Sequence, residues 1–155
     1  MKKLTLFYLF SILLLGCSSD NDIQLNDGDY LIFGHFYGFC IGENCVEIFK
    51  LTRENLYEDS NDNYANEPFN FKKLSNNKFE LTKDLIGFFP SELLSEKETI
   101  LGCPDCADGG GIYIEYSKDG EVKSWRIDQI KENVPSYLHN FMDKVNTKIS
   151  LINNN

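Results

Sequence analysis

The sequence predicts an α+β domain in which an antiparallel sheet carries one broken central helix and a C-terminal helix packed on one face. Two local patterns lead to this prediction. The pair Asp119-Gly120 lies between two runs with β pattern, which is a strong hairpin signal. Near the C-terminus, apolar residues recur every three or four positions, which indicates an amphipathic helix. The first half of the chain is rich in β-patterned segments, so we expect most strands to precede the helices.

The strands of the first half are rich in aromatic and β-branched residues. Residues 30–40 (YLIFGHFYGFC) are apolar on both faces, and residues 45–51 (CVEIFKL) follow after a turn. A third strand is predicted at 56–58, followed by a polar loop at 59–67. Apolar residues then return and predict one or two further short strands through Phe69, Phe71, Leu74, Phe79 and Leu81.

Helical spacing of apolar residues predicts two helices. The first covers residues 83–94, and Pro90 must break or restart it because proline lacks the backbone donor of an inner turn. The hairpin that follows pairs residues 112–116 with residues 121–127. The second helix begins near Pro135, since proline is favoured in a first turn, and its apolar stripe consists of Leu138, Phe141, Met142, Val145, Ile149 and Ile152.

The N-terminus has the three zones of an export signal. Two lysines form a basic start, residues 4–15 are mostly apolar, and the sequence LLGC occupies 14–17. An apolar run of 12 residues is shorter than the span of about 20 that a permanent membrane helix needs. The LLGC ending resembles the lipobox of bacterial lipoproteins. This resemblance implies that residues 1–16 are removed as a signal peptide and that Cys17 receives the lipid.

A lipid on Cys17 implies a protein anchored in the cell envelope, and we expect the outer membrane, on its periplasmic or surface face. Residues 17–29 are polar and acidic and are predicted to form a flexible tether, so the folded domain is expected at 30–155. Asp20 and Asp22 resemble the surface-export signals of some Gram-negative lineages, and a polar linker is the alternative interpretation.

The mature part is strongly acidic. The 15 basic residues less Lys2 and Lys3 leave 13, against 24 acidic residues, which is a formal charge of −11. Such a surface repels phosphate backbones, so we exclude nucleic acid as a partner. The 155 residues less the 16 of the signal leave 139, which is enough for one domain with a hydrophobic core.

The order of motifs in the mature part resembles small uncharacterised α+β envelope lipoprotein domains of Gram-negative bacteria. The matching segments are FCIGENCVEIFKL, GCPDCADGGGIYIEY, the Asp-Gly hairpin and VPSYLHNFMDKV. In those domains a strand pair that bears cysteines precedes a helix, a late hairpin and a terminal helix. The resemblance implies the same fold and brings no known activity with it.

Four cysteines follow the lipidation site, in the pairs Cys40 with Cys45 and Cys103 with Cys106. Disulfides persist in the oxidising compartment that an export signal implies, so we predict disulfides and no bound metal. Pairing within each cluster is favoured because each pair lies at its own turn, and bridging between clusters is the alternative. A four-thiolate zinc site and a C-x-x-C redox site are further alternatives. The redox interpretation is weakened because a strand, and not a helix, is expected directly after the C-x-x-C motif, so no helix N-terminus would stabilise a thiolate at Cys103.

Three residues are candidates for a binding surface, namely His35, Trp125 and Arg126. Trp and Arg are enriched at interface hot spots. The alternatives are a hydrogen-bonded position in the sheet for His35 and core packing for Trp125. The loop at 59–67 has some features of a calcium site, but Tyr64 stands where such a loop needs glycine, so a solvated loop is favoured.

No catalytic signature accompanies these residues in the sequence, so we lean away from an enzyme and expect no cofactor. The leading hypothesis is a lipid-anchored envelope domain that binds a partner, such as another envelope protein, or stabilises an assembly. The alternative is an envelope thiol-redox or metal-binding protein that uses Cys103 and Cys106.

Overall fold

The computed structural model describes residues 23–40, 45–64 and 68–155. Seven strands of this described part form one sheet: β1 (Tyr30–Phe36), β2 (Val46–Thr52), β3 (Leu56–Asp59), β4 (Phe71–Lys73), β5 (Ile100–Leu101), β6 (Gly111–Lys118) and β7 (Glu121–Asp128). Their spatial order is β4-β3-β2-β1-β6-β7-β5, and every pair of neighbours is antiparallel except β7 and β5. The predicted α+β fold with an antiparallel sheet is confirmed.

Strand β1 lies in the middle of the sheet, where both of its faces are covered. Tyr30 pairs with Thr52 at one end and Phe36 pairs with Val46 at the other, and we call these the Tyr30 end and the Phe36 end of the sheet. Gly34 is required between them, because a Cβ at this position would clash with the backbone of β2. The glycine that interrupts the aromatic run therefore marks a close approach of two strands.

The predicted hairpin is confirmed as the pair β6 and β7. Its two-residue turn has positive φ at both positions, 53° at Asp119 and 85° at Gly120. Positive φ at both central residues is the requirement of a type I′ turn, whose twist matches that of the flanking strands. The turn lies at the Tyr30 end, since β6 pairs Ser117 with Tyr30.

Helices cover one face of the sheet and enclose the main core. The α-helices are α1 (Asn76–Thr82) and α2 (His139–Asn153). Alternate residues of the central strands point toward them. The buried residues of these strands include Leu31, Phe33, Phe49, Leu51, Ile112 and Ile114. The stripe predicted for the C-terminal helix is also buried, so this helix is confirmed.

The central helix is broken as predicted. Helix α1 continues into a 3₁₀ segment, Lys83–Phe88, and a second 3₁₀ segment, Ser91–Ser95, follows Pro90. Pro90 itself is extended, with φ −75° and ψ 119°. The break therefore lies where the missing backbone donor required it.

The start of this helical region was predicted too late. Phe79 and Leu81, which we expected in a short strand, lie in α1, so that prediction is wrong. The side chain of Ser75 accepts a hydrogen bond from the amide of Lys78 and caps the helix. Two apolar residues in so short a run fit the spacing of a strand and of a helix equally well, and the cap at Ser75 favours the helix.

The opposite face of the sheet carries a smaller apolar cluster of Ile32, Phe36, Val46, Ile48 and Tyr113. Aromatic residues from the connection between β3 and β4 pack against it. The ring of Phe69 lies 6.1 Å from that of Tyr113 and 5.1 Å from that of Phe71. This face is therefore covered by a loop and the first face by helices, which agrees with the prediction of helices on one side.

The fold begins before Tyr30, earlier than the predicted domain boundary. Leu25 is buried in the main core, and Ile23 packs against the same cluster. Asp29 is 4% exposed and accepts hydrogen bonds from the amides of Asn26 and Asp119. Residues 23–29 are thus held on the domain, because their few apolar side chains find room at the edge of the core.

The predicted signal peptide at 1–16, the lipidation site Cys17 and the tether residues 17–22 lie outside the described residues. Within the part that the structure describes, no helix has the length and apolar character needed to cross a membrane.

Candidate functional site

An open recess of about 650 Å³ lies on the helix-covered side of the sheet, where β2, β3 and β4 meet the end of α2. Its wall is mainly polar and consists of Glu47, Glu58, Asp59, Ser60, Asp62, Lys72, Lys78 and Asn153. Four carboxylates thus share the wall with two lysines. The recess collects acidic side chains that are far apart in the sequence, and we call it the acidic recess.

Strand register explains how these side chains meet. Glu58 pairs with Phe49 on β2, and Lys72 on β4 pairs with Glu58. Glu47 is two residues from Phe49, so it points to the same face of the sheet. His35 pairs with Glu47 across β1 and β2, so it lies beside this carboxylate on the same face.

Glu47 is a nearly buried carboxylate of the acidic recess, with 9% of the residue exposed. Its Oε1 accepts a hydrogen bond of 2.7 Å from the side-chain amide of Asn153. Its Oε2 lies 2.7 Å from Nε2 of His35. The ring N–H of His35 is not directed at that oxygen, so the contact is electrostatic more than an aligned hydrogen bond.

The pKa of Glu47 lies below its ordinary value. Burial raises the pKa of this carboxyl, but the contact and charge of His35 and the amide of Asn153 together outweigh burial. Glu47 is therefore ionised at neutral pH. An ionised carboxylate in a partly dry recess attracts an ammonium or guanidinium group more strongly than it would in bulk water.

Asp59, the first residue of the loop at 59–67 that has some features of a calcium site, has a structural role. Asp59 is 2% exposed, and its Oδ1 accepts a hydrogen bond from the amide of Asn70. It therefore stabilises the connection between β3 and β4. Glu67 lies outside the described residues. In the described ranges, no group of three or more His, Cys, Asp or Glu side chains is arranged to hold a metal ion.

Both predicted disulfides are present, and the pairing is local. Cys40 is bonded to Cys45, and Cys103 is bonded to Cys106, with Cα atoms 5.5 Å apart in each pair. The prediction of disulfides with local pairing is confirmed. All four thiols are used in these bonds, so the zinc alternative loses its ligands.

Asp105 joins the two disulfide loops at the Phe36 end of the sheet. Its Oδ2 accepts hydrogen bonds from the amide of Gly38 at 3.0 Å and from the hydroxyl of Tyr64 at 2.8 Å. Its Oδ1 accepts one from the amide of Gly110 at 3.0 Å. Burial raises the pKa of Asp105, but these three hydrogen bonds and a nearby guanidinium outweigh it and hold the pKa below its ordinary value.

The C-x-x-C loop lacks the local structure of a thiol oxidoreductase. Cys103 and Cys106 are both exposed. The residues around Cys106 have left-handed φ values, 62° at Asp105 and 52° at Ala107, so only a distorted turn follows the motif. No α-helix begins directly after the C-x-x-C motif, as the sequence predicted, and strand β6 follows it instead. A thiolate at Cys103 would therefore lack the stabilisation that a helix N-terminus gives.

The three residues predicted as a binding surface lie apart. Trp125 is 2% exposed and packs near Phe89 in the main core, which is the core-packing alternative. Arg126 points to the opposite face, where its guanidinium stacks 3.9 Å from the ring centre of Phe36. Consecutive strand residues alternate between faces, so Trp125 and Arg126 cannot share one surface. Of the three, only His35 adjoins the acidic recess.

Sequence reasoning missed the residues that build the two clusters. Glu47 is the one acidic residue of its β-patterned run, Glu58 lies at the end of another, and Asp105 stands between two cysteines. None of the three was predicted as a site residue. A β period places Glu47 on the same face as Phe49, which was the one available signal. The packing of the end of α2 against β2 and β3 cannot be predicted from the spacing of residues within one segment.

No protein-family model matches the chain, and no curated protein is similar to it.

Proposed function

We propose that this chain is a lipid-anchored domain of the cell envelope that acts by binding, with the acidic recess as the site for a cationic group of an envelope protein partner. The lipobox resemblance at Cys17 supports the anchor. Two disulfides in the folded part support an oxidising location, since such bonds persist outside the cytosol.

The acidic recess is the observation that carries the proposal. Its volume of about 650 Å³ suits one or two side chains of a partner, and its wall contains four carboxylates. Glu47 is held ionised by its neighbours, since Asn153 donates a hydrogen bond to one of its oxygens and His35 lies 2.7 Å from the other. A preorganised anion of this kind suits a lysine or arginine side chain. The formal charge of −11 on the mature chain adds long-range attraction for a basic partner.

A peptide titration tests this function. The probe is a short lysine- and arginine-containing peptide, with a glutamate-containing peptide of the same length as its counterpart, and the readout is NMR shift perturbation. The amides of Glu47, Glu58 and Asn153 should respond to the basic peptide only. Glu47→Gln should weaken binding about tenfold, which is ~1.4 kcal/mol. Glu121→Gln at the other end of the sheet is the matched control and should leave the affinity unchanged.

Two results would count against a cation-binding recess. One is a shift pattern spread over the whole acidic surface, since the peptide would then follow net charge alone. The other is an equal loss of affinity in Glu47→Gln and Glu121→Gln. In either case the recess contributes nothing specific.

A second candidate function uses the exposed disulfide Cys103–Cys106. Both cysteines of this bond are exposed, so a thiol of a partner protein could reach it. The absent helix N-terminus argues for a structural bond instead, because an attacking thiolate there would lack stabilisation. Equilibration with glutathione buffers separates the two functions. A redox protein should show a reducible pair near the poise of its compartment, whereas a structural pair should resist reduction.

A further inference from the structure

The described chain is held at the Tyr30 end of the sheet from Ile23 onward. Ile23 packs against the main core, and Leu25 is buried beside Arg53. Asp27 pairs with Arg53 at 2.8 Å, and Asp29 binds the amide of the β6–β7 turn. These contacts fix the point from which the chain runs back toward Cys17.

The length of the remaining segment limits how far this end can be from the lipid. Six residue steps separate Cys17 from Ile23, and in any conformation they span at most about 20 Å. Strand β1 has seven residues and spans about 20 Å from Tyr30 to Phe36. Residues 37–40 and the Cys103–Cys106 segment lie past Phe36, and the headgroup layer adds at least about 5 Å. If the Phe36 end faced the membrane, the segment would have to cover all three distances, which exceeds its reach.

Surface charge does not distinguish the two ends. The exposed cations Arg53, Lys118 and Lys123 lie at the Tyr30 end, but the exposed carboxylates of Asp27, Asp119 and Glu121 lie there as well. The orientation therefore depends on the length of the segment.

We propose that the anchored domain stands with its Tyr30 end against the lipid surface and with its Phe36 end directed away from it. This orientation rests on the lipidation of Cys17 proposed above. It adds to the proposed function the direction in which the acidic recess faces. The β6–β7 turn and the residues near Arg53 form the membrane-facing surface. The acidic recess and both disulfide loops are presented to partners on the aqueous side, about 20 Å beyond the Tyr30 end.

Paramagnetic relaxation tests the orientation on the full acylated chain. The protein is placed in nanodiscs of phosphatidylethanolamine and phosphatidylglycerol that contain a gadolinium-chelate lipid, and the broadening of backbone amides is measured by NMR. The amides of Asn55 and Gly120 should be broadened at least about tenfold more than those of Phe39 and Gly109, since about 20 Å of strand separates the two groups. Equal or reversed broadening would overturn the orientation.

A longer tether provides the control. About 20 Gly and Ser residues inserted after Asp22 add an average reach of about 25 Å, so the contrast between the two groups of amides should fall. An unchanged contrast would show that tether length does not orient the domain, and would overturn the proposal. Mass spectrometry of the same sample reports the lipid on Cys17. If the lipid is missing, the proposed anchoring fails and the orientation fails with it; a lipidated chain without contrast refutes the orientation alone.

Discussion

Replacing Asp128 with alanine should remove several kcal/mol of folding free energy, because one buried carboxylate holds three donors at the end of β7. Asp128 is 4% exposed. Its Oδ2 accepts hydrogen bonds from the amide of Cys103 at 3.0 Å and from the side chain of Asn133 at 2.7 Å. Its Oδ1 accepts one from the amide of Ile130 at 2.8 Å. The residue thus connects the C-x-x-C loop to the segment that precedes α2.

The expected magnitude follows from these three bonds. A hydrogen bond to a charged group contributes about 1.5–3 kcal/mol, and the lower value applies here because Cys103 and Ile130 are exposed to water. Asp128→Ala should therefore cost about 3–5 kcal/mol. Asp128→Asn keeps the shape and one acceptor but turns an NH₂ group toward a donor, so about 2 kcal/mol should be lost.

The pH dependence has a definite sign. Burial raises the pKa of Asp128, but the hydrogen bonds from Ile130, Asn133 and Cys103 outweigh it and hold the pKa below its ordinary value. A carboxyl whose pKa is lower in the folded state stabilises the fold above its unfolded pKa of about 3.9. This stabilisation is lost as pH falls through the folded pKa. The gap between wild type and Asp128→Asn should therefore be full at neutral pH and shrink in strong acid.

Urea unfolding under non-reducing conditions measures both effects. The variants should fall in the order wild type, Asp128→Asn, Asp128→Ala, with Glu121→Gln as an exposed control within about 0.5 kcal/mol of wild type. The reasoning is refuted if Asp128→Asn is as stable as wild type at neutral pH. A gap between them that stays constant down to strong acid would refute the assignment of the ionised state.

Three further predictions concern other parts of the chain. Gly34→Ala should cost about 3 kcal/mol or more in thermal or urea unfolding, because its Cβ would clash with the carbonyl of Glu47; Gly87→Ala, whose Cβ meets no described atom within 4 Å, should be close to neutral. Lys148→Met should lower the free energy of unfolding by about 1–2 kcal/mol in the same assay, because the buried ammonium of Lys148 donates a hydrogen bond of 2.7 Å to the carbonyl of Leu81. Cys17→Ser should abolish acylation while leaving the domain folded, and a variant that still enters the detergent phase in a partition assay would contradict the lipobox interpretation.

Local patterns predicted those elements whose chemistry is local. The turn at Asp119 and Gly120 needs positive φ at two consecutive residues, and Asp-Gly is one of the few dipeptides that adopt this conformation readily. Pro90 breaks the central helix through its own missing donor. The cysteines of each pair are separated by only five and three positions, which favoured local disulfides without excluding bridges between the pairs. By contrast, α1 depends on the cap from Ser75, and its two apolar residues fit either period.

The candidate site was not predictable in the same way. Glu47 and Asn153 are separated by 106 positions and meet only because α2 ends over β2. Glu58 and Lys72 enter the recess through pairing of the short strands β3 and β4, which depends on register and not on composition. The connection from Asp105 to Gly38 and Tyr64 likewise spans loops distant in the chain.

The sequence by itself determined the α+β class, the hairpin and the C-terminal helix, and it favoured the local disulfides, because each depends on residues that are close together in the chain. Only the tertiary structure decided that residues 23–29 belong to the domain, that Trp125 is core while Arg126 faces the other side, and that acidic side chains gather beside His35. The physical reason is that burial and electrostatic neighbours are set by strand register and by the crossing of helix over sheet. Those arrangements arise from the whole set of long-range contacts, which no single stretch of sequence contains.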